Sequence, residues 1–459
     1  MSTDHHFPRF HIRPATGYVN DPNGPIRHGD LWHLYFQYVQ DTPREGPVHW
    51  GHATSPDLVE WTVQPDALDA APGDPDAGGC WSGNTVAADG VIHAFYSVFE
   101  PENPFQPVFR ATSTDDGATF ADQQLVVAGP APEEHAAQFR DPYVWRHFGR
   151  WCMLAGVELP GDVGLARLYE SDDLRSWREV GTFAESGGSE VEGAMWECPQ
   201  YATFGDEGVL LIAAYHPRGG DRHVIAVRGK ESAGKLVEPS VSLLETGAFY
   251  APSILRGTDR NLLWGWVTEE RSRDWEIEAD WSGCLTLPRE LRLGDDGVRS
   301  FPAAELVGLR DGVLGTIDGS GRELDGLPAQ FEIEATLQGS AGTSTVSIIA
   351  SAEETIDLVV DWDTGRVGLD RTSASRDPRA AGGRSEFVEP QIRSEHRLDL
   401  RWFVDGSVGE LFSATGQVLT HRFYPTQAPP WRLSLGHTAQ PGSATAELTV
   451  HRMRDAVHR

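Results

Sequence analysis

Residues 17–39 read GYVNDPNGPIRHGDLWHLYFQYV, and how this stretch is parsed decides the fold. Its first part, Gly17–Gly24, reads locally as a tight turn. Asn, Asp, Pro and Gly are the residues turns select, Pro22 for its fixed φ and Gly24 for its tolerance of positive φ. Its last part, Asp30–Val39, is an apolar, aromatic-rich run of strand length. The same pairing of polar lead and apolar strand then recurs. Gly90–Phe99 (GVIHAFYSVF), Gly149–Val157 (GRWCMLAGV), Gly208–Tyr215 (GVLLIAAY) and Arg260–Val267 (RNLLWGWV) continue the series, with starts 60, 59, 59 and 52 residues apart. After three of these strands comes a second shared feature: SPDLVEW from Ser55, STDDGATF from Ser113 and SDDLRSW from Ser171. A period near 60 residues is too long for a solenoid coil and suits a four-stranded propeller blade with generous loops. Five repeats therefore predict five blades.

The polar leads sit at nearly constant offset. Asp21 precedes its strand by 9 residues, Ser82 by 8, Asp141 by 8, Glu197 by 11 and Tyr250 by 10. Equivalent positions on blades arranged around one axis converge on a central funnel. Asp21, Trp81-Ser82, Arg140-Asp141, Glu197 and Phe249-Tyr250 are thus expected to meet. Carboxylates and aromatics gathered in a concave site suit chemistry on a small polar ligand.

Composition agrees with an all-β protein. The 459 residues include 49 Gly, 30 Pro and 15 Trp, and long helix-periodic segments are hard to find. A formal charge of −30 argues against nucleic acid or an anionic membrane as partner. Cys80, Cys152, Cys198 and Cys284 are too widely separated for metal-ligand pairing and read as buried free thiols, which suits a reducing compartment. Residues 1–16 contain no apolar signal region, and no run reaches the ~18 apolar residues of a membrane span. A cytoplasmic protein is expected, or a secreted one if a signal was trimmed. His5 and His6 read as a mobile terminus and Asp74–Asp76 as a Gly/Pro loop, so no metal and no cofactor are expected.

After Glu290 the character changes. Residues 1–293 are expected to form the propeller and 294–314 a connector, with a short helix-like piece near Ala303–Arg310. Alternating runs such as Gln330–Leu337, Thr345–Ala350, Ile356–Asp361 and Leu398–Val404 predict a β-sandwich over 315–459. Its charged residues read as solvated faces.

The motifs as a set resemble glycoside hydrolase family 32, the β-fructofuranosidases that include invertases, inulinases and levanases. NDPNG at 20–24 is similar to the family's nucleophile motif, FRDP at 139–142 to its Arg-Asp-Pro motif, and WECP at 196–199 to its acid/base motif. LYFQY (34–38), HWGHATSPDLVEW (49–61), WSGN (81–84), FYAP (249–252), WSGCLTLPREL (281–291) and FVDGSVGELF (403–412) match in family order. The resemblance implies a five-bladed propeller followed by a β-sandwich, and cleavage of β-fructofuranosides with retention by two carboxyl groups roughly 5–5.5 Å apart. It makes Asp21 the nucleophile, Glu197 the general acid and base, and Asp141 the transition-state stabiliser. Asn20, Gln37, Trp50, Trp81, Ser82, Arg140, Tyr250 and Trp266 become contacts to the sugar. Glu245 falls about where many relatives carry an Asp that helps bind the leaving group. Tyr18 and Val19 stand where the family most often has Trp and Met, Trp81 replaces a common Phe, and Val39-Gln40 replaces Asn-Pro. These departures bear on substrate preference, not on the three carboxylates. The expected reaction is exo-acting hydrolysis of sucrose, fructo-oligosaccharides or fructans. A fructosyltransferase, an inverting arabinanase-like propeller and a non-catalytic sugar-binding propeller are the alternatives.

Overall fold

Each apolar run found in the sequence is the second strand of a four-stranded antiparallel sheet, and both its faces are covered. Glu207–Tyr215, for example, buries every residue from Gly208 to Ala214. A computed structural model describes residues 4–40, 45–101, 103, 105–257, 259–295, 297–319, 321–438 and 444–459. Five such sheets follow one another. Blade 1 is Gly17–His28, Leu31–Val39, His49–Ser55 and Trp61–Leu68; blade 2 is Cys80–Ala88, Val91–Val98, Val108–Ser113 and Ala121–Val127. Blade 3 is Gln138–His147, Arg150–Leu159, Val163–Ser171 and Arg178–Glu185; blade 4 is Met195–Phe204, Glu207–Tyr215, His223–Ser232 and Lys235–Gly247. Blade 5 is Phe249–Arg256, Asn261–Val267, Arg289–Gly294 and Gly297–Pro302. The first strand of each blade touches the first strand of the next, and that of blade 5 touches that of blade 1. The ring is closed, which is the five-bladed propeller. Two short parallel pairings tie its seam: Trp281–Ser282 joins Gly17–Tyr18, and Val457–His458 joins the outer edge of blade 1 at Trp61–Thr62.

The stretch 294–314, expected to be a connector, also holds regular structure. It contains the last strand of blade 5, the 3₁₀ turn Ala304–Leu309 and the start of the strand Arg310–Asp318. The blade 5 edge strand buries fully only Gly297, Val298 and Ser300, too brief an alternation to register in the sequence.

The C-terminal third is a sandwich of two six-stranded layers, whose shared core includes Phe331, Ile333, Val346, Leu358, Trp402 and Leu433. Its edge strand Val418–Arg422 pairs in parallel with Thr246–Gly247 of blade 4, so the propeller and sandwich share a hydrogen-bonded seam. Not all of the sandwich charges are solvated, as the sequence had suggested: Asp405 and Glu410 are fully buried against the propeller, and Glu332, Glu354 and Glu389 within the sandwich. Asp405 and Glu410 clamp His11 at 2.9 and 3.0 Å, and Glu410 also accepts from Arg289 Nε at 2.9 Å and Leu287 N at 2.7 Å. Buried charge is tolerated there because every partner is supplied. The segment carrying His5 and His6, expected to be mobile, is likewise docked. His6 is buried, and both His5 and His6 contact the Pro425 carbonyl oxygen at 2.9 Å. All four cysteines are free and buried. Among the described residues, no helix is long and apolar enough to cross a membrane.

Candidate active site

The polar leads that read as turns are not turns. Each lies inside the innermost strand of its blade, at a β-bulge where two residues face one. Asn20-Asp21 bulge against Gln37, Trp81-Ser82 against Ser97, Asp141-Pro142 against Ala155, Cys198-Pro199 against Ile212, and Ala251-Pro252 against Gly265. Turn-forming residues suit a bulge for the same reason they suit a turn, because the ladder is broken and the backbone departs from the pleat. Proline has no N–H to lose from the ladder, and Pro22, Pro142, Pro199 and Pro252 sit in or directly after four of the five bulges. The fifth has Gly83, where a Cβ would lie 1.9 Å from the Phe95 carbonyl oxygen. Asp141, Cys198 and Ala251 hold φ of 61°, 47° and 47°, left-handed conformations that cost about 1–3 kcal/mol each in non-glycine residues. Such strain is found where a fold re-aims side chains, and here the bulges turn them to the propeller axis.

Three carboxylates from three blades meet there. The Asp21 Oδ2 oxygen accepts from Ser82 Oγ at 2.5 Å, and Gln37 Nε2 and Cys198 Sγ each lie 3.5 Å from it. Gln37 also donates to Ser82, and its Oε1 accepts from Asn20 Nδ2 at 3.0 Å. Asp141 Oδ2 accepts from the Cys198 backbone N–H at 3.0 Å, with the Cys198 thiol 3.7 Å away. Its own N–H donates to Ser97 Oγ at 2.7 Å. Cys198 therefore stands between Asp21 and Asp141. Glu197 has both oxygens engaged: Arg140 Nε donates to Oε1 at 3.2 Å and Tyr250 OH to Oε2 at 2.7 Å. Arg140 Nη2 is held by Gln138 Oε1 at 2.6 Å and the Tyr215 hydroxyl at 2.7 Å, which fixes the guanidinium fork between Glu197 and Asp141.

Crowding of like charge in a buried pit perturbs the acids. Burial raises Asp21 to about 6, with the Glu197 charge adding to the rise and the Ser82 hydrogen bond opposing it. Burial raises Asp141 to about 7; the Arg140 charge opposes this, while Glu197 and Asp21 reinforce it. Against three carboxylates stands one buried guanidinium, so the site retains a proton near neutrality.

Aromatic rings build the walls. Trp81 stacks on Phe99 at 4.9 Å, and Trp266 lies edge-on to Tyr18 at 6.0 Å and Tyr250 at 6.4 Å. Trp266 Nε1 and Asn20 Oδ1 are buried without a hydrogen-bond partner. Trp266 Nε1 faces Gly283, where an added Cβ would lie 3.0 Å from it. Trp50 differs from the expectation in detail: it is fully buried and donates its indole N–H to the Trp81 carbonyl at 2.9 Å, propping the blade 2 bulge.

The structure does not bring Glu245 to this group. Its carboxylate is buried in the seam with the sandwich, paired with Arg289 and accepting from Thr420 N at 3.0 Å, so it has no free oxygen for a ligand. The resemblance put it near the leaving group, but it lies at the end of the outer strand Lys235–Gly247 of blade 4, beside the sandwich. Conversely, Gln138, Tyr215, Cys198 and Arg222 join the site without having been singled out. The signal for Cys198 and Gln138 was present, since Cys198 adjoins Glu197 and Gln138 lies two residues before Arg140, whereas Tyr215 and Arg222 come from a later strand and loop. Among the described residues, two groups could hold a metal ion, Asp4-His5-His6 and His49-Asp66-Asp69. Neither includes any of the three clustered carboxylates.

Comparison with known proteins bears on both halves of the chain. The description "Glycosyl hydrolases family 32 N-terminal domain" matches residues 11–302, and "Glycosyl hydrolases family 32 C terminal" matches residues 309–452. The chain is 31% identical over 448 residues to sucrose-6-phosphate hydrolase of Bacillus subtilis, covering 92% of this chain and 90% of that protein. It is 30% identical over 455 residues to raffinose invertase of Escherichia coli, covering 94% and 91%. Among solved structures, β-fructofuranosidase of Bombyx mori superposes with a TM-score of 0.83 at 24% identity, over 99% of this chain and 95% of that one. Fructan 1-exohydrolase IIa of Cichorium intybus gives 0.84 at 19% identity, over 100% and 99%. At these identities the two superpositions speak for the fold.

Proposed function

The chain belongs to family 32 of the glycosyl hydrolases, and we propose that it is a retaining, exo-acting β-fructofuranosidase acting on sucrose-type substrates. The observation that carries this reading is the convergence of Asp21, Asp141 and Glu197, in or beside the bulges of three separate blades, onto one arginine and one cysteine. Hydrolysis through a covalent fructosyl-enzyme needs an ionised nucleophile, a protonated acid beside the leaving oxygen, and a group that holds the sugar as positive charge develops.

Asp21 meets the first need. Donation by Ser82 and Gln37 offsets its burial, and it is ionised above a pH of about 6. Its carboxylate oxygen attacks the anomeric carbon while the bond to the leaving-group oxygen breaks. Glu197 gives its proton to that oxygen. Tyr250 and Arg140 fix the two Glu197 oxygens, so the acid is oriented before substrate arrives. In the second step Glu197 takes a proton from water, the hydroxide oxygen bonds to the anomeric carbon, and the bond to Asp21 breaks. Asp141 accepts from sugar hydroxyls, an interaction that strengthens as oxocarbenium character grows. Asn20, whose amide donates to Gln37, and Trp266, edge-on to Tyr250, complete the surroundings of the fructosyl unit.

A timed product analysis on sucrose, 1-kestose, inulin and levan tests the proposal. Free fructose as the main product from at least one of them is expected. Fructo-oligosaccharides as the main product at moderate sucrose would instead indicate transfer, and absence of cleavage of all four and of sucrose 6-phosphate would refute the reading.

A further inference from the structure

Residues 216–222, HPRGGDR, join the second and third strands of blade 4 beside Tyr215, at the Glu197 side of the pit. We propose that Arg222 on this loop is a specificity-determining residue that receives a phosphate monoester carried by the leaving-group sugar. The inference rests on the β-fructofuranosidase reading and adds the chemical class of the leaving group.

Position comes first. The Arg222 guanidinium carbon lies 5.3 Å from the centroid of the Tyr250 ring and 5.7 Å from that of Tyr215. Tyr250 donates to Glu197, and Tyr215 bonds Arg140. Because Glu197 protonates the departing oxygen, the leaving sugar lies on this wall and passes Arg222 on its way out.

Pairing state separates the loop's two arginines. Arg218 is neutralised by Asp162, whose Oδ2 also lies 3.6 Å from His216 Nε2. Among the described residues, no carboxylate lies within ion-pair reach of Arg222. It rests instead on two aromatic faces, which position a guanidinium while leaving its N–H edge free. Free positive charge is out of character for this molecule. The chain carries −30 overall, and the pit sets three carboxylates against one buried arginine. A neutral sugar gains little from an exposed guanidinium at the rim. A phosphorylated one would be repelled by the pit, and a planar donor fork matched to phosphate oxygens reverses that repulsion where the leaving sugar sits.

The test compares kcat/KM for sucrose 6-phosphate with kcat/KM for sucrose in the parent, Arg222→Gln and Arg218→Gln. The parent should favour the phosphorylated substrate by about tenfold or more, the discrimination expected of one charge-assisted contact. Arg222→Gln should lower that ratio by about tenfold, chiefly through KM, and Arg222→Lys should restore part of it. Arg218→Gln should leave the ratio where it is. A parent that cleaves sucrose with no preference for the phosphate overturns the inference and leaves the β-fructofuranosidase reading intact. So does an Arg222→Gln ratio equal to the parent's, or an equal loss in Arg218→Gln. Release of fructose from neither these two substrates nor any fructan would sink both.

Discussion

Replacing Asp21 by Asn should destroy turnover and stabilise the protein at once. The carboxyl of Asp21 titrates at about 6 in the folded chain against an ordinary value of 3.8, because burial and the Glu197 charge outweigh the Ser82 hydrogen bond. The folded state thus binds this proton more tightly than the unfolded one. Stability falls as pH rises from the unfolded value through the folded one, and the whole cost is present above it. A displacement of about two units corresponds to roughly 3 kcal/mol. Asn is isosteric, and its carboxamide oxygen still accepts from Ser82, so no buried donor is orphaned. Thermal unfolding of parent and variant across pH reads the effect. Asp21→Asn should melt several degrees higher at about pH 8, and the difference should vanish below about pH 3.5, where both states of the parent are protonated. Activity should fall by roughly four orders of magnitude or more, since Asn cannot act as the nucleophile. A variant that melts lower at about pH 8, or an offset that persists unchanged into acid, would refute this account of the site's electrostatics.

Glu197→Gln should lose about 10²–10⁴-fold in kcat on sucrose, and far less of the first step on an aryl β-fructofuranoside whose leaving group needs no proton; burst kinetics separate the two. Ser82→Ala removes the donor that holds Asp21 down, so the acidic limb of the kcat/KM pH profile should move upward from its position near pH 6. Glu245→Ala leaves Arg289 short of a partner in the seam, which should cost about 3–5 kcal/mol in denaturant unfolding while KM at low temperature stays close to the parent's. A raised KM with unchanged stability would return Glu245 to the sugar site.

The sequence announced the architecture through repetition. Five apolar strands at a spacing near 60 residues required five blades, and each lead's fixed distance from its strand pointed to one funnel. What the chain concealed was backbone conformation. NDPNG, FRDP and WECP contain turn-formers, and local propensity cannot distinguish a turn from a bulge inside a strand that is paired on the far side of the interruption. The buried seam was hidden for another reason. Asp405 and Glu410 alternate with apolar neighbours in FVDGSVGELF as solvent-facing residues would, and only the docking of His11 and Arg289 from the propeller turns that face inward. Glu245, expected near the sugar from the family resemblance alone, is drawn into the same seam by Arg289 and Thr420.

The central claim is that Asp21 bonds to the sugar. Glu197→Gln, supplied with an activated aryl β-fructofuranoside, should complete the first step and stall for want of a base in the second. Quenched in acid, digested and sequenced by mass spectrometry, it should carry one fructosyl unit on the peptide containing Asp21. A label on Asp141 or elsewhere, or fructose released with inverted configuration and no adduct on any peptide, would contradict it.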